Sequence, residues 1–183
     1  MMEYKLIRSK RKTIGLQVKN GELIVRAPVT TPISEIEKVI ARHKKWIGAR
    51  LVVQQKTSEA PSITSKDIES LAKKAREIIP PRANYYAAKI GVTYGSITIR
   101  NQKTRWGSCS VKGDLNFNCL LMLAPIEVLD SVIVHELCHI KHMNHSKAFY
   151  DEVLKAYPEY YKWHDWLKKN GAELIGRMLK GAK

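Results

Sequence analysis

An α+β fold is predicted for this 183-residue chain by how its hydrophobic periodicities are arranged. Apolar residues alternate with polar ones over 4–28 and again over 97–121, the period of a strand. Elsewhere they recur every third or fourth residue, the period of a helix. Strand-like segments grouped apart from helix-like ones are the pattern of α+β folds.

The elements follow in order. Tyr4 and Leu6 mark a short first strand, and Ile14, Leu16 and Val18 a second. Asn20-Gly21 then supplies a type I′ turn before Leu23, Val25 and Ala27 resume the alternation. Thr31 reads as an N-cap and Pro32 as the proline that opens a helix. That helix carries Ile33, Ile36, Ile40, Ile47 and Leu51 and is expected to end near Gln55. Lys56 to Ser65 is rich in Ser, Thr and Pro and reads as a linker. It separates a basic β-hairpin and helix subdomain (1–56) from a second domain (66–183). There Ile68, Leu71, Ala72, Ala75 and Ile78 share a helical face, and Pro80-Pro81 is expected to break or restart the helix before it reaches about Ile90. Ile97 and Ile99 alternate in one strand, and Leu115, Phe117, Cys119 and Leu121 in another. After Pro125 the chain reads as helix, interrupted near Asn144 and at Pro158.

Composition narrows the class of protein. Apolar residues are 44% and charged residues 27%, the balance of a globular domain. No apolar run approaches the ~18–20 residues of a membrane span, and residues 1–12 have no stretch resembling a signal peptide. Three cysteines without CxxC spacing fit a reducing compartment, so a cytoplasmic location is expected. Lys and Arg number 32 against 17 Asp and Glu, a net +15, and residues 1–104 hold 21 of the cations against 8 acids. Such a field attracts polyanions, which makes nucleic acid a candidate partner through the basic N-terminal half; solubility alone is the plainer explanation.

Chemistry is concentrated in His135-Glu136-Leu137-Cys138-His139, an HExxH motif. Leu129, Ile133, Leu137 and Ile140 form an apolar helical stripe, and at about 100° per residue the two histidines project from one face a turn apart. They can share a metal ion, with Glu136 beside them to act as general base on a metal-activated water. Zinc needs a third ligand. His142 lies about 10 Å along the axis from His135, too far along a straight helix to converge. His145 converges if the helix breaks at Met143-Asn144, where Asn144 is expected to take the left-handed conformation. Asp151 and Glu152 on the next helix are the alternatives. Three ligands leave a position for water, as in catalytic sites.

Upstream, Lys103-Thr-Arg105-Trp106-Gly-Ser-Cys109 combines cations, an aromatic and a turn. Arg105 is a candidate for gripping a substrate carboxylate or phosphate, or else a surface cation stacked on Trp106. The strand from Leu115 is expected to border the cleft, with Asn116 and Asn118 on its outer face as candidate substrate-binding residues. Cys138 reads as a small buried hydrophobe. His43 and His164 have no ligand-like spacing, and Trp163, Trp166 and Leu167 read as core packing.

These motifs together, with Arg26-Ala-Pro28, Lys45-Trp46-Ile47, Leu115-Asn-Phe-Asn118, Ala124-Pro125, Asn144-His-Ser146 and Phe149, resemble the YgjP-like family of zincin-type metal-dependent hydrolases. The family is related more distantly to SprT-like proteases. The resemblance implies a zincin-like fold, with a small, mostly antiparallel sheet packed on the HExxH helix. It also implies a Zn²⁺ site of His135, His139 and His145 with Glu136 as base. Two activities are implied: a metallopeptidase by motif, and a pyrophosphatase that splits UTP to UMP and pyrophosphate. A basic nucleic-acid-associated module with a vestigial metal site is the non-enzymatic alternative.

Overall fold

The computed structural model describes residues 2–181 and divides into two compact units, Met1–Pro61 and Ser62–Lys183. In the first unit β1 (Lys5–Ser9) runs parallel to β3 (Glu22–Pro28), which pairs antiparallel with β2 (Gly15–Lys19). Asn20 and Gly21 join β2 to β3 with φ of 54° and 78°, both positive as a type I′ turn demands. Leu23, Val25 and Ala27 alternate inward along β3 and bury against Ile36, Ile40 and Ile47.

Those isoleucines lie on two helices, α1 (Ile33–Arg42) and α2 (Lys44–Glu59), where the periodicity predicts one. His43 leaves the helical region (φ −102°, ψ 12°), and its Nδ1 lies 2.9 Å from the Val39 carbonyl. Pro32, not Thr31, occupies the N-cap position, with its carbonyl accepting from Glu35 and Ile36. At the other end α2 runs past Gln55. Thr57 and Ser58 turn their hydroxyls onto the Val53 and Gln55 carbonyls, which lets polar residues extend the last turn.

The second unit opens with α3 (Ser65–Ile90), capped by a reciprocal pair: Asp67 N–H donates to Thr64 Oγ1, and Thr64 N–H donates to Asp67 Oδ2 at 2.8 Å. Contrary to expectation the helix continues through Pro80-Pro81. The carbonyls deprived of donors belong to Arg76 and Glu77, both exposed, so water can serve them. Meanwhile Ala75, Ile79 and Ala83, all fully buried, hold both halves of the helix to the core.

A second sheet follows, in the order β4 (Ile97–Arg100), β6 (Leu115–Asn118), β5 (Gly107–Cys109). β4 is parallel to the central β6 and β5 antiparallel, so both sheets are mixed and not mostly antiparallel. The expected cleft-bordering strand, β6, is therefore internal, and β5 is an edge. A short 3₁₀ turn (Cys119–Leu123) leads to α4 (Ile126–Cys138), which is buried nearly all round. Then come α5 (Lys147–Ala156) and α6 (Tyr160–Gly181). Arg82 of α3 clamps Asp130 of α4 with two bonds of 2.5 and 2.6 Å, and Tyr86 donates a third at 3.1 Å. No helix among the described residues is long and apolar enough to cross a membrane.

Candidate active site

His135 stands in the last turn of α4 and His139 at its C-cap. Their Nε2 atoms lie 3.2 Å apart, and His145 Nε2 lies 3.0 Å from that of His135. Asn144 does not adopt the left-handed conformation expected of it; among the described non-glycine residues only Asn20 has positive φ. The helix ends earlier, at Cys138, and Asn144 Oδ1 accepts from Ser146 N–H at 3.3 Å. Ser146 in turn caps α5 by accepting from Phe149 N–H, so His145 is held between two side-chain caps. Fully buried Phe149 touches all three imidazoles, with ring centroids 4.6 to 4.9 Å away.

The outer nitrogens settle what the inner ones can do. His139 Nδ1 lies 3.0 Å from the His142 carbonyl, which only accepts, so Nδ1 carries the hydrogen and the neutral ring's lone pair is on Nε2. His135 Nδ1 lies 2.8 Å from the Tyr160 hydroxyl. Burial, reinforced by the neighbouring histidines, drives His135 down to about 3, and burial also lowers His139. Both rings are therefore neutral at pH 7. The three imidazoles each bring one nitrogen within 4.8 Å of the others, a donor set that could hold a cation. Nitrogens bound to one tetrahedral zinc stand about 3.3 Å apart, so this spacing fits the ion. No other group of three His, Cys, Asp or Glu among the described residues offers a comparable cluster.

Glu136 is 6% exposed and lines a cleft together with His135. Burial alone pushes its carboxyl up to about 8. Its position depends on Gly107 of β5: a Cβ there would come within 2.6 Å of Oε1 and 2.7 Å of Cγ. Sequence reading treated this glycine as part of a turn. Both residues open onto a cleft of about 390 Å³, lined also by Arg105, Trp106, Tyr160, His164 and Lys168.

The remaining candidates are distributed differently. Arg105 lines the cleft. Asn118 is fully buried, donating to the Gln102 and Arg105 carbonyls (2.8 and 2.9 Å) and accepting from Leu120 N–H. Asn116 is bonded within the sheet to Arg100 and Ser108. Neither asparagine lines the cleft. Glu152 is paired with Lys141 and Asp151 with Lys147, away from the histidines. Cys138 is buried, its thiol raised to about 12. Tyr160 and His164 were missed; an aromatic and a lone histidine on the final helix carry no spacing that ties them to HExxH.

Residues 49–170 match the model of the YgjP-like metallopeptidase domain. The chain belongs to the YgjP-like family. As a YgjP-like protein it is a metal-dependent, metallopeptidase-like hydrolase, with an α+β fold. Two solved structures are similar to it. The metallopeptidase zymogen of Pyrococcus abyssi abylysin is 23% identical, with a TM-score of 0.46, covering 50% of this chain and 94% of that one. The metallopeptidase zymogen of Methanocaldococcus jannaschii jannalysin is 25% identical, with a TM-score of 0.45, covering 50% and 95%. No curated protein gives a significant match.

Proposed function

We propose that this YgjP-like protein hydrolyses peptide bonds, with zinc held by His135, His139 and His145 and with Glu136 as general base. The observation that carries the reading is the convergence of three imidazole nitrogens, one of them from His135, which lines an open cleft together with the buried carboxyl of Glu136. When bound, zinc supplies Lewis acidity that activates water and polarises the scissile carbonyl. Glu136 takes the proton from the attacking water and passes it to the leaving amine. Its burial favours the protonated form, so the carboxyl can hold that proton between the two steps. The Tyr160 hydroxyl, 2.8 Å from His135 Nδ1, can accept the hydrogen of that nitrogen and leave Nε2 free for the metal. Edge strand β5, whose Gly107 lines the cleft, offers an extended peptide a backbone to pair with.

Hydrolysis of UTP to UMP and pyrophosphate is a second reading, favoured by Arg105 and Lys168 at the mouth of the cleft. Both are tested with zinc-loaded protein and its Glu136→Gln variant on unfolded polypeptide and on UTP. Polypeptide cleavage that falls by about 10²–10⁴ in the variant, with zinc retained, is the expected result. Turnover of UTP alone would replace the peptidase reading. We further propose nucleic acid as a partner of the first unit, where residues 1–61 carry 13 basic and 5 acidic side chains. A reducing, cytoplasmic setting suits the three free cysteines.

A further inference from the structure

Two cations from distant parts of the second unit meet at the cleft. Trp106 lies flat against α6 at Gly171, where a Cβ would come within 2.8 Å of its ring. That close approach brings the loop before β5 against α6, so that Arg105 and Lys168 line the same cleft as His135 and Glu136. Asn118 holds the loop from beneath through the Gln102 and Arg105 carbonyls. The backbone carrying Arg105 is therefore fixed before any substrate arrives.

Both side chains are exposed, and neither has an ion-pair partner among the described residues. Among the described residues, Glu136 is the only carboxylate lining the cleft. Arg105 and Lys168 are therefore left to meet a negative group that the substrate brings. We propose that Arg105 and Lys168 form a subsite for a carboxylate of the peptide substrate, from an Asp or Glu side chain beside the scissile bond or from the chain's C-terminus. The planar fork of Arg105 suits a bidentate carboxylate, and Lys168 adds a mobile point charge. This inference rests on the peptidase reading.

The test uses full-length zinc-loaded protein and one fluorescent peptide framework carrying Glu, Gln or Lys beside the cleavage point. Each peptide is made with a free and an amidated C-terminus. Cleavage is measured in wild type, and binding by anisotropy in Glu136→Gln. The carboxylate-bearing peptide should have about tenfold the kcat/KM and affinity of its neutral counterpart at low salt. That ratio should fall toward one in Arg105→Ala/Lys168→Ala made in either background, and the Lys peptide should gain in Lys168→Glu. Whether the preference follows the side chain or the free terminus identifies the carboxylate. Equal treatment of charged and neutral peptides would overturn the subsite while leaving the peptidase reading intact. A preference that survives the double substitution would also overturn it, assigning the effect to the overall +15 charge. If no peptide is cleaved but Glu136→Gln still prefers the acidic one through Arg105 and Lys168, the peptidase reading fails and the subsite stands.

Discussion

The hydroxyl of Tyr160 lies outside the cluster of three histidines, yet by accepting from His135 Nδ1 it would leave Nε2 free to face the other two rings. Removing it frees the ring to rotate and to change tautomer. Tyr160→Phe is expected to weaken zinc binding by about 10–100-fold, read by competition with a chelator, with little change in fold. Glu136 carries a stability cost that can be measured in zinc-free protein. Its folded pKa, raised to about 8, lies above the unfolded value near 4.5, so the folded state holds the proton more tightly. Stability is unaffected by this group below about pH 4.5 and is progressively lost from there to about pH 8. Glu136→Gln should therefore be more stable than wild type at pH 8, with the gap closing as pH falls toward 4.5; a constant gap would contradict it. HExxH was legible because its chemistry and its helical spacing coincide in five residues. Tyr160 was not, because its partner is 25 residues away and only packing of α6 brings them together.

Helices α3 and α4 are joined by a pair whose two ends differ in burial. Asp130 is almost enclosed, with 7% of its side chain exposed, whereas Arg82 keeps 36%. Losing Arg82 strands a buried carboxylate with only Tyr86 to bond it, while losing Asp130 leaves a guanidinium that can turn to water. Arg82→Leu is expected to cost about 2–4 kcal/mol and Asp130→Leu about 1–2 kcal/mol, compared by urea denaturation. The clamp sits just beyond Pro80-Pro81, where a break was expected and the helix continues. Proline's local preference against a helix interior is visible in the chain, but the buried contacts of Ile79 and Ala83 that override it are not. The strands were easier to read, since alternation fixes both element and buried face. Their order was not, because nothing in the alternation tells β6 that it lies between β4 and β5.

At the scale of the whole molecule, charge and chemistry occupy different parts of the sequence. Residues 105–150 hold the three histidines and Glu136 and carry 4 basic and 4 acidic side chains, whereas residues 1–61 carry 13 and 5. If the basic residues engage nucleic acid through phosphates, the affinity of the intact chain should fall steeply and log-linearly between about 50 and 200 mM salt. A flat response by fluorescence anisotropy would leave the charge to solubility. One feature of the fold reaches beyond any single molecule. Gly107 leaves the carboxyl of Glu136 the volume of a missing methyl group. Every coding change at a glycine codon adds at least a Cβ. If Glu136 is the proposed base, inactive alleles in a library of random variants should gather at codon 107 as densely as at the codons of His135, His139 and His145, although glycine has no reactive atom.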